Sequence, residues 1–211
     1  MQIEWKGHSS FVLHSDNGQT VLTDPFNEQV GLPVPNVDVN VVTVSHQHGD
    51  HNATGLLPGT PIVVDGIGQH TVAGIGIHGI AAYHDAEQGA LRGKNTIFVI
   101  TVDEMNVCHL GDLGHPLTPE QVAEIGKVDI LLVPVGGFYT IDAQQAYDIV
   151  QQLQPKIIIP MHYKLDERLV YPIAPVDGFL SFYQEVKTKD VLKITKTSLP
   201  KESQVILLEL K

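Results

Sequence analysis

The densest chemistry in this 211-residue chain lies at Ser45-His46-Gln47-His48-Gly49-Asp50-His51-Asn52, where four potential metal ligands fall within six positions. Imidazole and carboxylate donors in that mixture suit zinc, iron or manganese. In extended backbone, residues i and i+2 point the same way, so His46 and His48 can grip one ion together. Gly49 allows a sharp change of direction, after which Asp50 and His51 can turn toward a second ion beside the first. The bland alternative is a polar loop that happens to be rich in histidine. Composition alone would produce this pattern roughly once in several hundred such chains. Upstream, Val39-Asn40-Val41-Val42-Thr43-Val44 is an apolar, β-branched run that reads as a buried strand. A strand ending in such a cluster holds its ligands rigidly at a sheet edge, where a substrate can reach them.

Later segments repeat the design of an apolar run closed by a ligand-type residue. They are Ala81-Ala82-Tyr83-His84, His109-Leu110-Gly111-Asp112 after Met105-Asn106-Val107-Cys108, and Ile157-Ile158-Ile159-Pro160-Met161-His162. With Leu22-Thr23-Asp24-Pro25 and the histidine cluster, these resemble the metallo-β-lactamase-fold hydrolases over about Ile3 to Lys164. The resemblance implies that His84 joins His46 and His48 on a first metal. It makes Asp112 the bridging carboxylate and His162 the partner of Asp50 and His51 on a second. Asp24 would steady a ligand histidine from behind by accepting its other ring N–H, and His8 would support the site or touch substrate. Gly7-His8-Ser9, Thr23-Asp24-Pro25, Gly111-Asp112-Leu113-Gly114 and Pro160-Met161-His162-Tyr163 resemble the short stand-alone branch related to ascorbate-6-phosphate lactonase.

What this implies is a binuclear metallohydrolase holding two divalent ions, zinc first, with manganese, iron or nickel as alternatives. A metal-bridging hydroxide, bound and oriented with the help of Asp50, would attack a small ester, lactone or phosphoester. Rival readings within the same fold are a phosphodiesterase or nuclease and a diiron redox protein. A further rival is a non-catalytic metal-binding protein, against which seven intact ligand positions argue. Two substrate contacts come from the residues themselves. Gly89-Ala90-Leu91-Arg92-Gly93-Lys94-Asn95-Thr96 carries two basic side chains close to His84, so Lys94 is either substrate-facing or on a plain solvated turn. Tyr139, in Val135-Gly136-Gly137-Phe138-Tyr139-Thr140, either donates a hydrogen bond to substrate or packs its loop.

Bulk properties frame these readings. The length and 43% apolar content fit one domain spanning residues 1–211 with a sizeable core. There is no basic-then-apolar leader and no run of membrane-spanning length, so the expected compartment is the cytoplasm, with no membrane partner. The single Cys108 sits among apolar neighbours and reads as a packed thiol. A net charge of −11 without a Lys/Arg cluster argues against a nucleic-acid partner. Bound cations would offset Asp24, Asp50 and Asp112, leaving a small, anionic substrate possible.

Strand patterns dominate the first half, and helix patterns follow at Thr118–Gln121, Asp142–Leu153 and Asp177–Lys187, with closing strands near Val191–Ile194 and Val205–Leu210. Two batches of strands, each with helices, predict an α+β, four-layer αββα sandwich of two mixed sheets with outer helices, which is the metallo-β-lactamase fold. The segment Asn52–Gly59 is short, so the site's mouth is either open or covered by another subunit in a homo-oligomer. Gly74-Ile75-Gly76-Ile77-His78-Gly79 matches a dinucleotide fingerprint, but strand character continues beyond it and no helix follows.

Overall fold

The computed structural model describes residues 1–169 and 171–211. In the first strand, β1 (Gln2–Gly7), burial alternates, with Ile3 and Trp5 inward. β2 (Ser10–His14), β3 (Thr20–Thr23), β4 (Val41–Thr43) and β5 (Ile62–Val64) continue the sheet. β2 and β3 pair antiparallel, and β3, β4 and β5 run parallel. The strand-forming run 39–44 therefore makes regular pairs only over 41–43, while Val39 and Val44 are buried just outside.

The second sheet contains β6 (Gly68–Val72), β7 (Ile75–Tyr83), β8 (Lys94–Val102), β9 (Met105–His109), β10 (Ile130–Pro134), β11 (Ile157–Met161), β12 (Val186–Lys189) and β14 (Gln204–Leu208). β13 (Leu192–Lys193) returns to the edge of the first sheet beside β1. The strand orders are β13-β1-β2-β3-β4-β5 and β12-β14-β11-β10-β9-β8-β7-β6. Both sheets are mixed. β9, β10, β11, β14 and β12 run parallel, and β6 to β9 form an antiparallel meander.

The core lies between the sheets. Ile3, Phe11, Leu13, Val21 and Val41 from the first sheet join Ile77, Phe98, Ile100, Leu131 and Ile158 from the second in one buried cluster. Period-2 alternation sends Val12, Leu22 and Val42 to the opposite face, where they pack with Val39, Val44, Val37 and Leu57. Val37 and Leu57, on either side of the histidine cluster and the latter just after the 3-10 turn Thr54–Leu56, pack on that face.

Helices α1 (Pro119–Ile125) and α2 (Ala143–Leu153) contact β7 and β10 of the larger sheet. Thr118 and Asp142 close capping boxes with Gln121 and Gln145, meeting N–H groups that have no partner within the helix. The predicted third helix is much shorter than expected: α3 is Asp177–Leu180, and the residues beyond it include β12. Gly178 weakens the first turn. Phe182 and Tyr183 close with i→i−3 bonds to Phe179 and Leu180, and Val186 and Thr188 suit the open edge of β14. β6 was not legible as a strand, because it is an edge strand without apolar alternation. The glycine-rich 74–79 stretch lies mostly in β7, where a Cβ on Gly79 would stand 2.2 Å from the Gly66 carbonyl oxygen. Gly79 thus serves close packing of backbone, while Gly74 lies in the turn before β7 with a positive φ.

Candidate metal centre

The direction of the strands explains why distant residues meet. β3, β4, β7, β9, β10 and β11 all deliver their carboxyl ends to one edge of the sandwich. Asp24 follows β3, the 46–51 cluster follows β4, His84 follows β7, Asp112 follows β9 and His162 follows β11. His8 joins them from the turn between β1 and β2. Parallel strands commonly open ligand crevices at their carboxyl ends.

Two histidine triads form there. His46, His48 and His84 can present ring nitrogens that all lie within 4.8 Å of one another, and so can His8, His51 and His162. Asp112 stands between the triads. Its Oδ2 lies 3.3 Å from His84 Nε2 and 3.2 Å from both His51 Nε2 and His162 Nε2. Asp50 Oδ2 lies 3.3 Å from His8 Nε2 and 3.7 Å from His51 Nε2. All seven ligand-type residues singled out from the sequence thus come together, and His8 is nearer than the supporting place the resemblance gave it.

The surroundings favour neutral rings with available lone pairs at His8, His46 and His48. Burial together with the neighbouring histidines lowers His8 to about 4 and His46 to about 3, and lowers His48 as well. His51 behaves differently. Burial opposes its charge, but Asp112 and Asp24 outweigh that and raise it well above 6.5. Asp112 is held well below the ordinary carboxylate value, its burial outweighed by His162 and His51. Without a metal, a proton on His51 answers these carboxylates; a bound cation would supply the same positive charge. His46 Nε2, His84 Nδ1, His162 Nδ1 and His8 Nδ1 are buried with no hydrogen-bond partner among the described residues. The atoms that face Asp112 are the Nε2 nitrogens of His51, His84 and His162, all within 3.3 Å of its Oδ2. Three imidazole nitrogens converging on one anionic carboxylate, with His46 Nε2 left unpartnered, are what a cation site requires, so the donor set fits divalent metal.

Asp24 is fully buried behind this set. It accepts the Ser45 amide at 2.8 Å, the Ser45 hydroxyl at 2.6 Å and His51 Nδ1–H at 2.9 Å. Asn95 accepts the Asp112 amide at 3.0 Å and donates to the Leu110 carbonyl at 2.9 Å, fixing the loop that carries Asp112. Asp85, next to His84 in the chain, is not free to bind a metal: its carboxylate accepts backbone N–H bonds from Glu87, Gly89, Leu91 and Arg92. His109 donates Nε2–H to the Ser9 carbonyl at 2.8 Å and is a buried, satisfied histidine.

A cavity of about 250 Å³ opens over the triads, lined by His48, Asp50, His84, Arg92, Asp112, Tyr139, His162 and Tyr171. Tyr139 is therefore at the mouth, as a substrate contact would be. Lys94 is exposed and lines a neighbouring cavity of about 700 Å³ instead, while Arg92 lines both. Tyr171 was missed by sequence reasoning. Burial and the adjacent Asp50 raise it to about 12, so its phenol stays protonated at neutral pH. Only its contact with a residue far away in sequence marks it, and no local pattern carries that signal.

Comparison with known proteins agrees with this geometry. A family model described as "Beta-lactamase superfamily domain" matches residues 2–162. A UPF0173 metal-dependent hydrolase of Pyrobaculum islandicum is 32% identical, the match covering 77% of this chain and 84% of that protein. One from Archaeoglobus fulgidus is 28% identical over 90% and 92%. A crystal structure from Thermotoga maritima, described as a candidate Zn-dependent hydrolase of the metallo-β-lactamase superfamily, superposes with a TM-score of 0.85. It is 43% identical and covers 100% of this chain and 99% of its own. With its two mixed sheets and its histidine and aspartate clusters at their shared edge, the chain belongs to the metallo-β-lactamase superfamily and, within it, to the UPF0173 metal-dependent hydrolases.

Proposed function

We propose that the chain is a binuclear metallohydrolase of small esters, lactones or phosphoesters. The observation that carries this reading is the placing of Asp112 Oδ2 within 3.3 Å of ring nitrogens from both triads, one carboxylate serving two sets of donors. His46, His48 and His84 would hold one ion. Asp50, His51 and His162 would hold the other with His8 beside them, and Asp112 would be shared. Bound cations there supply Lewis acidity toward a carbonyl or phosphoryl oxygen and acidify water. Zinc is the first choice for this nitrogen-rich set, and the printed description of the Thermotoga maritima relative names the same metal.

The chain's own residues contribute orientation and proton handling. Asp50 offers its carboxylate at the floor of the cavity, fixed by His8, and is a suitable acceptor for a proton from the attacking water. Tyr171 is a protonated phenol beside it and can donate to the electrophile's oxygen or the leaving group. Tyr139 borders the entrance. Lactones are the preferred substrates only through the motif likeness to the lactonase-related branch. The reading includes a cytoplasmic setting and a small-molecule substrate, and it is supported by an acidic chain in which no helix among the described residues is long and apolar enough to cross a membrane.

Metal content per chain tests the proposal. Wild type should hold near two equivalents after incubation with zinc, and His48→Ala and His162→Ala should each hold fewer. Hydrolysis of lactone and phosphoester probes should vanish on chelation and return with metal. A wild type that takes up none of zinc, manganese or iron would sink the reading.

A further inference from the structure

Among the described residues, Arg92 is the only lysine or arginine lining the 250 Å³ cavity, and it also lines the neighbouring 700 Å³ cavity. It therefore stands where the two spaces join. Its guanidinium lies 5.5 Å from the Tyr139 ring centroid, a cation–π distance, and makes no ion pair with a carboxylate among the described residues. In a chain of net charge −11 an arginine left without an acidic partner is informative.

The segment carrying Arg92 is built to hold still. The buried Asp85 carboxylate accepts the N–H groups of Glu87 at 2.8 Å, Gly89 at 2.9 Å, Leu91 at 3.0 Å and Arg92 at 2.7 Å. Gly93 closes the same loop onto the Gly89 carbonyl at 2.9 Å, and His84 N–H bonds the Gly93 carbonyl at 3.0 Å. The loop is thus tied to a ligand-type histidine at its base, and Arg92 is presented from a fixed backbone. A preorganised guanidinium loses little freedom on gripping an oxyanion and can do so with two parallel N–H bonds.

The cavity sizes complete the argument. At about 250 Å³, the space above the triads holds a reacting group but lies below the usual range for a whole small-molecule ligand. The adjoining 700 Å³ cavity falls within that range and is lined in part by Ile67, Ala81, Ala82 and Tyr83.

We propose that Arg92 is a specificity-determining residue that anchors an oxyanion group of the substrate, a carboxylate or a phosphate. The scissile bond then lies over the triads and an apolar body fills the larger cavity. This rests on the hydrolase reading and adds the substrate class: amphiphilic small molecules with an anionic group near the bond to be cleaved.

The test uses phenylacetate, benzylphosphonate and the neutral phenylacetamide as probes. Calorimetry would compare wild type with Arg92→Gln and Arg92→Lys, each with metal content and melting temperature recorded. Loss of a charge-assisted bidentate contact should weaken the oxyanion probes by about tenfold or more in Arg92→Gln. Phenylacetamide should change by less than about twofold, and Arg92→Lys should fall between. The larger loss, for phosphonate or for carboxylate, identifies which oxyanion the site is built for. Should the glutamine variant not fold, the lysine variant alone still decides, since it keeps the charge and loses the fork. Equal dissociation constants in wild type and variants would overturn the proposal, as would a wild type that binds neither oxyanion below about 10 mM. Metal uptake by the same samples reports separately on the hydrolase reading. A wild type without metal defeats that reading, while the difference between variants still decides Arg92.

Discussion

At the scale of single residues, Asp24 controls two ligand-type histidines through one carboxylate. It accepts His51 Nδ1–H directly, and it accepts the Ser45 hydroxyl, whose oxygen lies 2.9 Å from His46 Nδ1. Ser45 has one proton to give, and Asp24 takes it. The serine oxygen must then accept from His46, which leaves the His46 Nε2 lone pair facing the site. Ser45→Ala should release one ring and lower metal affinity by about 10–100-fold, and Asp24→Asn should disturb both rings and cost more. Titration against a chromophoric chelator measures this, and wild-type affinity in both variants would refute the orienting role. Asp24 was legible through its likeness to the family pattern. Ser45 was not, because a serine becomes informative only when its partner, 21 residues away, is seen beside it. The same holds for the basic loop: the sequence offered Arg92 and Lys94 together, and only strand direction separates them. Lys94 opens β8 and faces the outer cavity, whereas Arg92 hangs over the triads.

At the scale of elements, the site depends on how closely strand ends approach one another. Gly114, two residues past Asp112, lies against the backbone of the His84 turn: a Cβ there would stand 2.3 Å from the His84 carbonyl carbon and 2.4 Å from the Asp85 nitrogen. Those atoms are backbone and cannot swing aside. Gly114→Ala should therefore push the β7 and β9 ends apart, lower stability by about 1–3 kcal/mol and reduce metal uptake. Thermal melts with elemental analysis check both effects, and an unchanged melting temperature would mean the junction is softer than it looks. Much at this level was readable from local chemistry. The N-cap and first-turn proline at Thr118-Pro119 marked α1, the helical spacing of Ala143, Ala146, Ile149, Val150 and Leu153 marked α2, and buried runs closed by ligand-type residues marked β7 and β11. What failed was non-local. The 177–187 segment ends in a strand because the β14 edge is available to it, and β6 exists because β7 pairs with it. A window of sequence contains neither partner.

At the scale of the whole molecule, the metal edge of the sandwich is matched by an ionic clasp at the opposite edge, at the start of β10. Asp129 is buried there, and its Oδ2 accepts the Lys196 ammonium at 2.8 Å and the Asn106 amide at 3.0 Å. Its carbonyl oxygen accepts the amides of Lys156 and Ile157. One residue therefore ties the entries of β9, β10 and β11 to the closing segment after β13. Burial opposes the charge of Asp129, but the bonds from Lys196 and Asn106 outweigh it and hold the pKa below 3.8. For a carboxylate depressed by folding, the unfolded chain binds the proton more readily. The stabilisation is then complete above the ordinary carboxylate value and is lost as pH falls through the lower folded value. Asp129→Asn should lower stability at neutral pH by about 1–3 kcal/mol, chiefly through a buried hydrogen-bonded site left with weaker partners. Its curve should approach that of wild type as the solution is acidified below about pH 4, because protonation removes the same charge from both. Denaturant unfolding at several pH values measures the two curves. A constant gap between them down to strong acid would mean that the carboxylate's charge is not what holds this edge. Because the clasp lies at the far end of the strands, metal content should stay at the wild-type level throughout the neutral range. A fall in metal content in this variant would show that the two edges of the sandwich are coupled through the parallel strands β9, β10 and β11.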